Sequence, residues 1–288
     1  MTDRATPDSV SFAKSAREGV EGADFVQESV PERLRIKHST YVEIEPVLSS
    51  HAIVSSSTSG LTLEALQKGW KDPANLILGY PFNPPHLRPL VEWTANSRTS
   101  PAVPEMAEAF YRDIGKVTVR IGKGLPGQNA NRLQAAVWRE DVHMAIEGVA
   151  SVEDIDKAMW AGPGLRWAAM GPTMLFHLGA GEGGLQAFCD HFKDTFSGWW
   201  ENLGDPHLDD EVIEILVAGM AEQARGRSAD DLSILRDKML TAIQAATATC
   251  ARRSRGRARA RPGIRKEPGF DAISSGRKAG TLTLWPTE

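Results

Sequence analysis

The sequence predicts an α/β protein in which a doubly wound parallel sheet is followed by an all-α domain. Three observations predict it. The 288 residues exceed one compact core and suit about two domains. As far as Lys123, short β-rich runs alternate with helical periodicities. Beyond Lys123 the strand signal stops and the periodic segments have helical spacing. The predicted organisation is a sheet domain over residues 1–123, a helical domain over 124–250 and a tail over 251–288.

Residues 23–27 (ADFVQ) read as the first strand. Pro31 can open the next helix, because a first-turn proline loses no needed hydrogen bond. Leu34, His38, Tyr41 and Leu48 then share one helical face. Residues 52–55 (AIVS) form a second strand, 62–70 a short helix and 75–80 (NLILGY) a third strand. Residues 104–114 place Met106, Ala107, Phe110, Tyr111 and Ile114 on one face, and Gly115 ends that helix. Residues 117–121 (VTVRI) are the last strand. Strands separated by helices imply right-handed crossovers and parallel pairing.

The helical half opens with residues 129–149, whose Leu133, Val137, Met144 and Ala145 are expected to face inward. Ser151 can cap the next helix, with Glu153 and Asp154 beside its positive end. Residues 209–225 and 228–249 are two further helices. In the second, Leu232, Leu235, Met239, Ile243 and Ala246 form a seam that packs in a bundle or against a second subunit. Residues 251–288 are Arg-, Ala- and Gly-rich without amphipathic period, and read as disordered.

Composition narrows the function classes. At 41% hydrophobic and 24% charged, the chain is not mostly disordered. Its longest strongly apolar stretch, 213–220, falls far short of the roughly 20 residues a membrane helix needs. No secretory leader is legible, and Cys189 and Cys250 build neither a disulfide framework nor a cysteine zinc site, which points to the cytoplasm. The net charge is −4. The tail holds ten Lys or Arg against three Asp or Glu, leaving 23 against 34 in the rest. An acidic body with a basic tail argues against nucleic acid as the partner of the folded part. His177, Glu182, Asp190 and His191 match no zinc spacing, so no metal is expected.

The most informative segment is GYPFNPPHLRPLVE, residues 79–92. Two prolines after Asn83 force an extended, rigid turn just beyond a strand. Ligand crevices in parallel α/β sheets lie beyond the carboxyl ends of strands. Asn83, with the carboxylate of Glu92 nine residues on, is therefore placed either for substrate chemistry or in a purely structural proline turn.

This segment resembles the signature of the 3-hydroxyacyl-CoA dehydrogenase family, most closely its L-carnitine dehydrogenase branch. Further segments agree in order: FVQESVPE at 25–32, Lys37, SSSTSGL at 55–61, Pro126-Gly127 with Asn131-Arg132-Leu133, EGVASVEDID at 147–156 and GLRWAAMGP at 164–172. The resemblance covers residues 7–248. It implies the carboxyl-terminal half of a Rossmann-like NAD domain, then a helical domain that forms a homodimer. The implied reaction is NAD-dependent oxidation of a 3-hydroxy to a 3-oxo group on a small molecule, L-carnitine or a 3-hydroxyacyl-CoA.

The resemblance also implies roles. Glu32 and Lys37 match positions beside the nicotinamide ribose. Ser59 matches a serine contacting both substrate and nicotinamide, Asn83 a nicotinamide-side asparagine and Asn131 a substrate-side one. Glu92 matches the carboxylate that orients a catalytic histidine. These residue types suit the chemistry: removal of the hydroxyl proton needs a base fixed by a carboxylate, and serine or asparagine can donate to the developing carbonyl oxygen.

The chain departs from that pattern at several points. Tyr80 occupies the catalytic histidine position, and a phenol with an unperturbed pKa of about 10 is a poor base at neutral pH. His86 is a candidate substitute, or simply a solvent-facing loop residue. Gln128 replaces an apolar residue usual after the Pro-Gly pair. No G-x-G-x-x-G follows a strand in the first 100 residues, and neither 122–127 nor 179–184 has the right context. The acid expected beyond such a turn is absent too. These features suggest a chain that starts midway through the nucleotide domain, with an exposed sheet edge. They predict no measurable turnover, and no rescue by Tyr80→His alone. The alternative function is an inactive paralogue that serves only as an oligomerisation partner. Trp160, Trp167, Phe192, Trp199 and Trp200 could hold a trimethylammonium group or simply fill a core. Arg166 could meet a substrate carboxylate or link domains.

Overall fold

The computed structural model describes residues 10–259. The described chain divides into two compact units, the first running to Arg132 and the second beginning at Leu133.

The first unit is a five-stranded sheet in the order β1 (Phe25–Glu28), β2 (Ile53–Ser56), β3 (Leu76–Pro81), β4 (Leu90–Thr94), β5 (Val117–Arg120). β1, β2 and β3 pair in parallel, and so do β4 and β5. β3 and β4 are antiparallel, with Tyr80 opposite Glu92 and Leu78 opposite Thr94. The sheet is therefore parallel-dominated, with one antiparallel pair. No strand is expected from the sequence at β4. In fact residues 82–89 form a hairpin connection, and Phe82 N–H donates to the Leu90 carbonyl at 3.0 Å.

Alternation along the strands sorts the core into two layers. Val26, Val54 and Leu76 face α1 (Ala16–Val20), α2 (Leu34–Ile44) and α3 (Leu63–Gln67), together with Tyr41, Ile44 and Leu66. Phe25, Ile53, Ile77 and Val91 face α4 (Val103–Asp113) through Val103, Ala107 and Tyr111. Helices on both faces make the sheet doubly wound. Each fully buried aliphatic side chain contributes about 1.5–3 kcal/mol, so these two layers dominate the stability of the unit. Met106 and Ile114, expected on the inner face of α4, are exposed. The helix buries the narrower stripe 103, 107, 111 against the sheet.

Gly79 shows how tightly the α4 layer is packed. A Cβ there would collide with the Ser55 hydroxyl and the Tyr111 phenol. Those two groups share a buried 2.7 Å hydrogen bond, and Tyr111 also donates to Gln27 Oε1 at 2.6 Å. Gly79→Ala is expected to cost about 1–3 kcal/mol by overpacking. Urea unfolding measures this, and a loss below about 0.5 kcal/mol would mean that the layer yields easily.

The second unit is helical: the end of α5 (Gln128–Ile146), then α6 (Val152–Ala161), α7 (Pro163–Ala169), α8 (Pro172–Gly179), α9 (Gly184–Asn202), α10 (Asp210–Ala224) and α11 (Ala229–Arg259). Ser151 caps α6 by accepting from Asp154 N–H at 3.1 Å, as its sequence suggests. Asp209 caps α10 in the same way through Val212 N–H. α10 lies close along α6: a Cβ at Gly219 would meet Val152, and Arg225 pairs with Glu153 at 2.7 Å. Phe176 and Phe188 stack at 4.5 Å between α8 and α9.

Two expectations fail here. Leu133 is exposed, and Val142 is the buried apolar residue of α5. The tail from Ala251 begins as helix, since α11 continues to Arg259. Alanine and arginine are strong helix formers, and no proline occurs before Pro262. Residues 260–288 lie outside the described residues. No described helix is long and apolar enough to cross a membrane.

Candidate functional site

The carboxyl ends of β1 and β2 carry a buried polar cluster centred on Glu28. Its Oε1 accepts from Lys37 Nζ at 2.9 Å and from Val30 N–H at 2.8 Å. Its Oε2 accepts from Tyr41 at 2.8 Å and Ser56 at 2.7 Å. Glu28 and Lys37 are each 1% exposed. Burial, reinforced by the negative charge of Glu28, pushes the Tyr41 phenol up. Lys37 also reaches outward, 3.6 Å from Glu32 Oε2.

Glu32 holds the loop after β2. Its Oε1 accepts from the Thr58 hydroxyl, from Ser59 N–H at 3.1 Å and from Gly60 N–H at 2.9 Å. Partial burial alone would raise its pKa. The Thr58 and Gly60 hydrogen bonds, the Lys37 charge and the Ser59 N–H outweigh burial, and hold the carboxyl below its ordinary value. Glu32, Lys37 and Ser59 thus form one linked group.

A second group sits across β3 and β4. Tyr80 and Glu92 are opposite each other, so their side chains leave the same face of the sheet. Glu92 is 1% exposed. Its Oε1 accepts from Asn129 N–H and Ala130 N–H, both at 3.1 Å. These are orphan donors of the first turn of α5, so Glu92 caps that helix and fixes the turn carrying Asn131. Its Oε2 is buried and has no partner in the described structure. A buried carboxylate oxygen left empty is costly, and here it lies on the Tyr80 face.

The hairpin loop is held from outside the site. Lys116 Nζ donates to the Pro85 carbonyl and, at 3.4 Å, to the Arg88 carbonyl, and burial lowers its pKa. Arg88 stacks over Phe82 at 5.1 Å. The Asn83–Pro84 peptide is cis. Asn83 and His86 are exposed on this loop, without a side-chain hydrogen bond among the described residues. The structure does not bring them to Glu92.

Comparison with known proteins decides the family. Residues 2–124 match the profile described as 3-hydroxyacyl-CoA dehydrogenase, NAD binding domain, and residues 127–224 match its C-terminal domain. The chain belongs to the 3-hydroxyacyl-CoA dehydrogenase family. It is 40% identical over 247 residues to an L-carnitine dehydrogenase of Streptomyces coelicolor, covering 86% of this chain and 78% of that protein. It is 44% identical over 226 residues to an L-carnitine dehydrogenase of Nocardiopsis dassonvillei, covering 78% and 69%. Among solved structures, it resembles an NAD-dependent 5-formyl-3-hydroxy-2-methylpyridine-4-carboxylic acid 5-dehydrogenase. That match has a TM-score of 0.67 and 28% identity, covering 80% of this chain and 74% of that one. The 3-hydroxyacyl-CoA dehydrogenase of Archaeoglobus fulgidus matches at TM-score 0.53 and 25% identity, covering 79% of each.

NAD is the cofactor of this family, and the donor set on the first unit suits its ribose and nicotinamide end. Glu32 is a half-exposed carboxylate beyond the carboxyl ends of parallel strands, with Lys37 behind it and Ser59 on the adjoining loop. No glycine-rich strand-to-helix turn occurs among the described strands. Among the described residues no group of three or more His, Cys, Asp or Glu is placed to hold a metal. Of the aromatic candidates, Trp167 lines a cleft with Trp138 and Met159. Phe192 and Trp200 line another with Phe176 and Phe188.

Sequence reasoning missed Glu28 and Thr58, and noted Gln128 only as a departure from the family pattern. Glu28 was legible in one respect: it shares strand parity with the buried Val26, a polar residue at an inward position.

Proposed function

We propose that this dehydrogenase-family chain oxidises the 3-hydroxy group of a small molecule to a 3-oxo group with NAD, and that its substrate is L-carnitine. The observation that carries this reading is the empty, buried Oε2 of Glu92 on the face it shares with Tyr80. Tyr80 stands where a base must take the hydroxyl proton. Glu92, fixed by α5, accepts from whatever group takes that proton. Ser59 and Asn131 donate to the oxygen as it becomes a carbonyl. Glu32 and Lys37 orient the ribose, and Asn83 the nicotinamide side. NAD, when bound, accepts the hydride. The relatives named as L-carnitine dehydrogenases support the substrate, and the absence of membrane-spanning helices among the described residues accords with the cytoplasm.

The test is NADH formation by the full chain from L-carnitine and, separately, from 3-hydroxybutyryl-CoA. With a phenol as the proton acceptor, no more than a trace rate is expected at neutral pH. Tyr80→Phe should abolish whatever rate is seen. A Tyr80→Phe variant as active as the wild type would remove Tyr80 from the role. The absence of NADH at every pH would favour the second reading, an inactive oligomerisation partner.

The second reading would use the seam on α11, where Leu235, Met239 and Ile243 are 47%, 53% and 41% exposed. Under either reading the chain is a homodimer, because a self-matching apolar face pairs about a two-fold axis. Sedimentation of the full chain at micromolar concentration should show a dimer that Leu235→Asp disperses. A stable wild-type monomer would end that claim.

A further inference from the structure

A cavity of about 480 Å³ lies in the first unit, with Ser59, Glu64, Leu78, Thr94, Lys123 and Gln128 in its walls. Leu78 and Thr94 are cross-strand partners on the face that also carries Tyr80 and Glu92. The cavity floor is thus continuous with the reacting pair. Gln128 precedes the two residues whose N–H groups Glu92 holds. It is 6% exposed, and its Oε1 has no hydrogen-bond partner in the described structure. Gln128 thus ties this wall to the turn that Glu92 caps.

Two charges of opposite sign share these walls. Lys123 is exposed and makes no ion pair among the described residues. Glu64 is also without a cationic partner there, and accepts from Asn96 Nδ2 at 3.2 Å. Its own backbone N–H, then the Asn96 amide, hold its carboxyl below the ordinary value. A ligand with an anionic end alone would satisfy Lys123 but bring a like charge towards Glu64. One with a cationic end alone would do the reverse. A zwitterion meets both.

We propose that Lys123 and Glu64 are the specificity-determining pair of this pocket. Lys123 takes a substrate carboxylate and Glu64 takes a quaternary ammonium end, which leaves the hydroxyl between them its one proton for the base. This rests on the reading of the Tyr80–Glu92 face as the place where a 3-hydroxy group is oxidised, and narrows its substrates to zwitterionic 3-hydroxy acids. A thioester presents a neutral carbonyl to Lys123 and is disfavoured.

Calorimetric titration of the full chain tests this with three ligands: L-carnitine with both charges, 3-hydroxybutyrate with only the carboxylate, and choline with only the cation. L-carnitine should bind at least about fivefold more tightly than either, the scale of one partly exposed charge pair. Lys123→Gln should bring L-carnitine to the level of choline, and Glu64→Gln to that of 3-hydroxybutyrate. Equal affinities for the three ligands, or a Lys123→Gln variant that binds L-carnitine unchanged, would overturn the assignment. Should Glu64→Gln unfold by circular dichroism, Lys123→Glu decides alone: it must make choline the preferred single-charge ligand, and an unchanged order refutes the pair. L-carnitine held through Lys123 and Glu64 without NADH formation would strike the reaction and support the pocket. NADH from 3-hydroxybutyryl-CoA with no preference among the three ligands would strike the pocket and leave the reaction.

Discussion

Replacing Lys37 with methionine should lower the unfolding free energy by about 3–5 kcal/mol, the cost of leaving a buried charge without its partner. Methionine has a similar length and keeps the apolar contacts of the lysine stem. What it removes is the 2.9 Å ion pair to Glu28 and the 3.2 Å hydrogen bond to the Val30 carbonyl. Glu28 would keep its Tyr41, Ser56 and Val30 donors, but its charge would stay uncompensated in a site only 1% exposed. Urea unfolding of wild type, Lys37→Met, Glu28→Gln and the double variant separates these effects. The double variant should recover part of the loss, because two neutral groups leave no stranded charge. A Lys37→Met cost below about 1 kcal/mol would show that Glu28 is not held as a lone buried anion. The same change reaches the site, since Glu32 would lose its nearest cation and grip the 58–60 loop without it.

This cluster also shows what a sequence conceals. The first three strands and their helices were legible because apolar runs and 3.6-residue periods are local signals. β4 was not, since Leu90, Val91 and Trp93 follow a proline-rich turn and look like its continuation; only pairing with β3 makes them a strand. Periodicity reports that a helix has an apolar face without naming its partner, so Met106, Ile114 and Leu133 were assigned inward and lie exposed. The site divides in the same way. Resemblance supplied Glu32, Lys37, Ser59, Glu92 and Asn131, whereas Glu28 and Gln128 owe their importance to tertiary placement. Glu28 joins a strand to a helix nine positions away, and Gln128, noted in the sequence only as a departure from the family pattern, carries a buried acceptor that nothing in the described structure reaches.

Tyr80→His should give an imidazole that titrates above the ordinary histidine value of about 6.5. Cβ atoms of directly opposed antiparallel residues lie about 4.5–5.5 Å apart, so the ring can reach Glu92 Oε2 across the ladder. That oxygen is buried and unpartnered, while Oε1 is tied to Asn129 and Ala130. A ring N–H would fill it, and the carboxylate would favour the charged imidazolium. The sign of the stability effect follows. Since the folded-state pKa is raised, the added stability is fully present below the unfolded value and lost as pH rises through the folded one. Relative to wild type, the variant should therefore gain stability at mildly acidic pH and lose that advantage at alkaline pH. Proton NMR of the ring C2–H gives the titration, and urea unfolding at the two pH extremes gives the linkage. A ring titrating at or below the ordinary value, with no pH-dependent gain, would mean that Glu92 Oε2 is not directed at position 80. Its role in the reaction would then have to be carried by a group other than the side chain facing it.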